Sequence, residues 1–168
     1  ERTAPREMLQ LFTDVGFWRH FVPKCYGGEE GGVYDWFQAV RLLGSVDLSA
    51  AWTAGLASCH SPPFTFFNER AQDELWGKTP DVITGTAGAP PAQARRVDGG
   101  VIVNGRMGFA SGCNHAHWIL CYFMEPVESG EVERFGALMP REDIRIEDTW
   151  YIAGMRGTGS NTVILENV

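Results

Sequence analysis

Two periodicities divide the chain. Met8, Leu9, Phe12 and Val15 recur at helical spacing between Pro5 and Gly16, a proline suited to a first helical position and a glycine suited to a stop. Residues 17–28 are apolar and then broken by glycines, which predicts a packed turn. Tyr34, Phe37, Val40 and Leu43 predict a second helix, with Trp36 beside them. Asp47 stands where it can cap a third, in which Leu48, Ala51, Trp52 and Leu56 form a stripe. Pro62-Pro63 interrupts the pattern, and residues 70–76 predict a short helix ending at Gly77.

After Thr79-Pro80 the period becomes two. Val101, Val103, Gly105, Met107 and Phe109 alternate with Ile102, Asn104, Arg106 and Gly108. Trp118, Leu120, Tyr122 and Met124 repeat the alternation, and residues 135–139, 144–146 and 162–168 supply shorter strands. Asp98-Gly99-Gly100 is a hairpin signal between two strands. Helices first and strands second argue for the α+β class rather than a parallel βαβ array. The expected division is an N-terminal helical domain over residues 1–78 and a central β domain over 79–168, each incomplete.

The composition narrows the partners. With 168 residues there is material for one core, or for a helical and a sheet subdomain sharing an interface. A formal net charge of -7, with no basic cluster beyond Arg95-Arg96, argues against nucleic acid and against an anionic membrane surface. No apolar run approaches the ~20 residues that span a bilayer, and no signal peptide is visible, so a cytoplasmic protein is expected. The chain opens Glu1-Arg-Thr without an initiator Met and closes on a strand pattern, so truncation at both ends is expected. Cys25, Cys59, Cys113 and Cys121 lack framework spacing, and free thiols are the expectation.

Four stretches carry candidate chemistry. Cys59-His60 ends the third helix; a nucleophilic thiol there needs His60 to activate it, but adjacent side chains rarely converge, and a pocket-shaping His is the simpler reading. Cys113, His115 and His117 alternate and could meet a metal if extended, yet Gly112 breaks the strand and the ligand count stops at three, so no metal is assigned. The run Gly154-Met-Arg-Gly-Thr-Gly-Ser160 can offer backbone N–H groups to an anion, but lacks P-loop spacing and reads equally as a tight turn needing positive φ at Gly157 and Gly159. Phe109-Ala-Ser111 places a ring and a hydroxyl on one face of a strand, which suits a flat cofactor with a polar edge.

In order along the chain, these pieces resemble a family. Val22-Pro-Lys-Cys-Tyr-Gly-Gly28 resembles the "VPxxYGG" turn of acyl-CoA dehydrogenase-like flavoproteins, Val97-Asp-Gly-Gly-Val-Ile-Val-Asn-Gly105 their "GGYxVNG" hairpin, and residues 150–160 their "GLRGTGS" turn. Ala71-Gln-Asp-Glu-Leu-Trp-Gly77, the run from Phe109 to Trp118 and Arg156-Gly-Thr-Gly-Ser-Asn161 are similar to the oxygenase components of two-component flavin monooxygenases of the p-hydroxyphenylacetate and phenolic secosteroid hydroxylase type.

The resemblance implies an N-terminal helical domain, a β-barrel or sandwich domain and a C-terminal four-helix bundle, the last lying outside this sequence. It implies a homotetramer that receives reduced FMN or FAD from an NAD(P)H-dependent reductase, forms a flavin C4a-hydroperoxide with O₂ and hydroxylates an aromatic or related small molecule. Ser111 matches the hydroxyl that meets flavin N5, and Phe109 a position against the flavin. His60 matches a catalytic His on the substrate's phenolic oxygen, with an expected pKa near ~6.5. Thr86 falls where the phenol hydroxylase has a substrate-binding Ser, and Arg156 and Ser160 occupy a turn near the isoalloxazine. Two rivals stand beside this reading: an acyl-CoA dehydrogenase-like hydride transfer to N5, and a flavin-free scaffold that kept the fold. Against the first, residues 85–94 lack the acid that dehydrogenases carry before the flavin strand.

Overall fold

A computed structural model of the chain describes residues 2–126 and 131–168. Helices α1 (Arg6–Asp14), α2 (Val33–Gly44), α3 (Leu48–Cys59), α4 (Ser61–Phe64) and α5 (Glu69–Trp76) precede all the strands. The packed turn expected at 17–28 is two short 3₁₀ turns, Phe17–Arg19 and Lys24–Tyr26. Pro5 precedes the first helical residue in extended backbone rather than occupying it. Asp47 caps α3 as its spacing predicted, its carboxylate accepting from the Ala50 N–H at 2.7 Å. Pro62 and Pro63 do not leave a gap; they fill the first turn of α4, where a missing N–H costs nothing. His60 is therefore pinned at a junction between two helices.

The central helix is α3, and its buried face is made of small residues: Ala50, Ala51, Thr53, Ala54, Gly55, Ala57 and Ser58. Small side chains let its neighbours approach closely. The large members of its stripe look outward instead, Leu48 at 62% and Trp52 at 48% exposure. The stripe that signalled α2 is likewise uncovered at Tyr34 and Phe37.

Among the described residues six strands follow: β1 (Thr84–Val97), β2 (Gly100–Ala110), β3 (Trp118–Pro126), β4 (Val132–Pro140), β5 (Arg145–Glu147) and β6 (Asn161–Glu166). Their order in the sheet is β4-β3-β1-β2-β6-β5. Asp98-Gly99 turns the β1–β2 hairpin, with Val97 opposite Gly100 and Gly99 at φ 80°. Most of β1 escaped the alternation test because Gly85, Gly88, Pro90 and Pro91 erase it. It pairs parallel with β3, and the register shifts between Ala87 and Ala92, a stretch that holds both prolines.

One apolar core lies inside the sheet. Met107, Ile119, Phe123 and Val163 are fully buried there. Phe135 of β4 and Ile146 of β5, from opposite ends of the strand order, pack on that same cluster, so the sheet curls around it. A second cluster of Val22, Phe64, Trp76 and Leu120 ties the helices to β3. Thr84 adds a polar tie, donating from Oγ1 to the Ala57 carbonyl at 2.8 Å. This bond sets the C-terminal end of α3 against the start of β1. Among the described residues no helix is long and apolar enough to cross a membrane.

Candidate active site

Where the end of α3 meets the sheet, a cleft of about 350 Å³ opens. His60 enters from the helix junction, Thr86 and Gly88 from β1, Phe109 and Ser111 from the end of β2, and Tyr122 from β3. Four residues that the sequence singled out in separate stretches thus share one hollow. A larger surface hollow of about 800 Å³ lies elsewhere, beside Arg96, Glu125 and Glu133, and holds none of these groups. The size of the smaller cleft suits a small-molecule ligand. Gly88 keeps it open, since a Cβ there would come within 2.7 Å of the Tyr122 ring.

His60 and Thr86 form one unit, with Nε2 and Oγ1 2.8 Å apart. Nδ1 is buried and finds no partner in bonding geometry. Burial pushes the imidazole down to about 4, with the Thr84 backbone opposing only in part. This corrects the expectation of an ordinary imidazole: His60 is neutral at neutral pH and a weak base. Moving a proton to it from a phenol of ordinary pKa near ~10 is uphill by ~6 pKa units, or about 8 kcal/mol. It is suited to orienting a hydroxyl by hydrogen bonding, not to removing its proton outright. Cys59 gains no activation here. Its thiol donates to the Leu56 carbonyl at 3.4 Å, and burial raises its pKa.

The tip of β2 departs from the regular strand assumed for it. The β2–β6 register breaks between Met107 and Ala110, and Phe109 takes a left-handed φ of 58°. Alternation is lost at this point. Ala110 turns fully inward while the Phe109 ring stands 71% exposed, edge-on to Trp150 at 6.0 Å. Ser111 lies one residue past the strand, yet reaches the same cleft. A bulky residue held at positive φ costs of order 1–3 kcal/mol, and such strain is concentrated at functional sites.

Ser111 Oγ accepts from Trp52 Nε1 at 3.1 Å and lies 2.8 Å from Ser160 Oγ. Ser160 is buried and touches Thr158 Oγ1 at 2.7 Å. It meets the site through Ser111 rather than by lining the cleft. Arg156 is exposed on the 3₁₀ turn Arg156–Thr158, and the cleft's lining does not include it. In that glycine-rich turn Gly159 takes the expected positive φ, but Met155 rather than Gly157 supplies the other. Gly157 is needed for space: a Cβ there would press on the Ser49 Cβ at 3.0 Å.

The Cys113 run disperses. Cys113 is buried with its thiol pushed up to about 11, His115 Nε2 lies 3.0 Å from Thr3 Oγ1, and His117 Nδ1 accepts from the Ile83 N–H at 3.0 Å. Trp52, Tyr122 and Arg134 of β4 were not read as site residues. Trp52 carried one available signal, a large aromatic in a helix otherwise rich in small residues. Arg134 sits 5.6 Å over the Tyr122 ring at the cleft's edge.

A projecting aromatic ring, a hydroxyl with an open face and a glycine floor fit a flat heteroaromatic cofactor with a hydrogen-bonding edge. Helices packed on a curled sheet around this cleft define the class: the chain shares the acyl-CoA dehydrogenase-like fold of its structural neighbours. No family model matches the chain. It is 35% identical over 167 residues to the oxygenase subunit HsaA of a flavin-dependent monooxygenase from Rhodococcus jostii (strain RHA1), across 99% of this chain and 44% of that protein. It is 34% identical over 168 residues to the oxygenase component of p-hydroxyphenylacetate 3-hydroxylase from Acinetobacter baumannii, across 99% of this chain and 40% of that protein. Among solved structures, XiaF from Streptomyces sp. in complex with FADH2 and glycerol superposes with a TM-score of 0.93 at 27% identity, over 100% of this chain and 43% of that one. The chain's homologues are the oxygenase components of two-component flavin-dependent monooxygenases. It spans about two fifths of the length of the curated relatives it matches.

Proposed function

We propose that the chain is part of the oxygenase component of a two-component monooxygenase that uses reduced FMN or FAD and O₂ to hydroxylate an aromatic or related small molecule. One observation carries this reading. His60, Thr86, Phe109 and Ser111, drawn from three separate stretches of sequence, line a single cleft in a chain homologous to such oxygenases along its length. Residues 1–78 form its helical domain and 79–168 its β domain. On the same reading it works in the cytoplasm, takes flavin from an NAD(P)H-dependent reductase and assembles as a tetramer, for which the uncovered Tyr34 and Phe37 offer apolar surface.

When bound, reduced flavin supplies the activation of O₂. The chain's residues position and shield. Phe109 and Ser111 would hold the flavin, the phenyl ring as a packing surface and the hydroxyl oxygen as a partner for the N5 edge. The His60–Thr86 pair presents hydrogen-bonding groups to the substrate's hydroxyl, and the neutral imidazole orients that group without taking its proton. Tyr122 walls the cleft and limits water.

The test is a single-turnover reaction of the protein with reduced flavin, O₂ and a phenolic substrate, measuring hydroxylated product and hydrogen peroxide. Ser111→Ala is expected to shift the yield from product to peroxide while flavin oxidation continues. Unchanged coupling removes Ser111 from its role, and reduction of bound flavin by an acyl-CoA replaces the monooxygenase reading with a dehydrogenase.

A further inference from the structure

The hydroxyl of Ser111 belongs to a chain of hydroxyls that runs from the Trp52 indole to the Met155 carbonyl. At one end, the Trp52 indole N–H can only donate, and it donates to Ser111. At the other, the Met155 carbonyl can only accept, and it takes the Thr158 hydroxyl proton at 2.9 Å beside the Thr158 backbone N–H at 3.1 Å and the Trp150 indole N–H at 3.2 Å. Each hydroxyl between them has one proton to give. With the Thr158 proton on Met155, Ser160 would donate to Thr158 across 2.7 Å. Ser111 would then donate to Ser160 across 2.8 Å. In that direction Ser111 keeps no proton and one lone pair for the cleft.

We propose that Ser160 and Thr158 are positioning residues that make Ser111 a pure hydrogen-bond acceptor toward the cleft, and so select reduced over oxidised flavin. The proposal rests on the flavin reading above. The chemistry is a matter of sign. Flavin N5 carries an N–H when reduced and a bare lone pair when oxidised. An acceptor of fixed direction pairs with the first and faces the second lone pair to lone pair. Leaving a buried acceptor unmet costs more than a typical hydrogen bond gains, so the discrimination comes mainly from the mismatch. Both positioning hydroxyls are buried, Thr158 at 2% and Ser160 at 4% exposure, so water does not readily scramble the direction. Release of the spent flavin gains from the same device, because reoxidised flavin loses its partner at Ser111.

The experiment is an anaerobic titration of the full chain with oxidised and with reduced FMN and FAD, followed by the midpoint potential of the bound flavin. Wild type is expected to hold the reduced form more tightly. In Ser160→Ala the Ser111 proton loses its acceptor and can turn into the cleft. In Thr158→Val the Ser160 proton is freed to turn back on Ser111, with the same result. Each variant is expected to cut the preference for reduced flavin on the order of tenfold. That equals a fall of about 30 mV in the two-electron potential of bound flavin. Trp52→Phe removes a donor to Ser111 and frees a second lone pair without turning the Ser111 proton into the cleft, so a smaller fall than in the two hydroxyl variants is expected.

An unchanged preference in both hydroxyl variants overturns the proposal. So does an equal fall in Trp52→Phe, which would trace the effect to packing instead of direction. A wild-type chain that binds neither redox state defeats the flavin reading itself, and the proposal with it.

Discussion

Acidification should destabilise the protein through His60 by an amount the structure sets. The imidazole is held at about 4 in the folded chain, against ~6.5 when unfolded. Between those values the unfolded state binds a proton that the folded state refuses, so stability falls as pH falls. The contribution is complete above pH ~6.5, is lost progressively on the way down, and levels off below pH ~4. A gap of ~2.5 units amounts to about 3.4 kcal/mol at most. At pH 5.5 the unfolded imidazole is mostly charged and the loss is about 1.4 kcal/mol; at pH 4.5 it reaches about 2.6 kcal/mol. Burial also lowers the pKa of His115 and His117, so acid sensitivity alone does not isolate His60. The difference between wild type and His60→Gln does, because Gln keeps a hydrogen-bonding group near Thr86 and cannot titrate. Urea denaturation at pH 7.5, 6.5, 5.5 and 4.5 gives the free energies. The variant starts lower but should lose about 1.4 kcal/mol less than wild type between pH 7.5 and 5.5. Parallel curves for the two proteins would refute both the buried neutral imidazole and the exclusion of His60 as a strong base.

Phe109→Gly should bind flavin roughly tenfold more weakly while leaving thermal stability unchanged or raised, since glycine relieves the left-handed strain and little packing is lost from a ring 71% exposed. A large drop in melting temperature in differential scanning calorimetry would show that the ring is structural. Phe123→Ala, at a fully buried core position, should cost about 3–5 kcal/mol in denaturant unfolding. A loss under ~1 kcal/mol would place that residue outside the core.

The architecture was legible where one face of an element is buried and the other is not. Strand β2 shows this: Val103 and Met107 point inward while Asn104 and Arg106 point outward, so period two survives in the sequence. The same test missed most of β1, because its glycines and prolines answer to other demands. Gly105 is the position where β2 passes close to Ala92 of β1, and Gly88 yields space to Tyr122. Helix α3 misled in a different way. Its stripe of Leu48, Ala51, Trp52 and Leu56 reads as core-facing, yet of these only Ala51 is buried, on the alanine and glycine side that packs. Hydrophobicity patterns report which residues are apolar, and close helix packing favours small ones over the most apolar ones.

The site was legible as residue types but not as geometry. His60, Thr86, Phe109 and Ser111 were named from stretches far apart in sequence, and the fold brings them to one cleft. Strand alternation would put Phe109 and Ser111 on one face, but the bulge and the left-handed Phe109 abolish it. Both residues reach the cleft because the strand breaks, not because it continues. Direction of proton donation is further still from the sequence. Ser, Ser and Thr are each able to donate or accept, and nothing in their order specifies which. On the proposed reading that choice is set at the Met155 carbonyl, which can only accept, while the indole N–H on α3 at the other end adds a donor to Ser111. A hydroxyl between such ends behaves as though it were a different side chain. This is why replacing Ser160, which the cleft never touches directly, should alter which redox state the cleft holds.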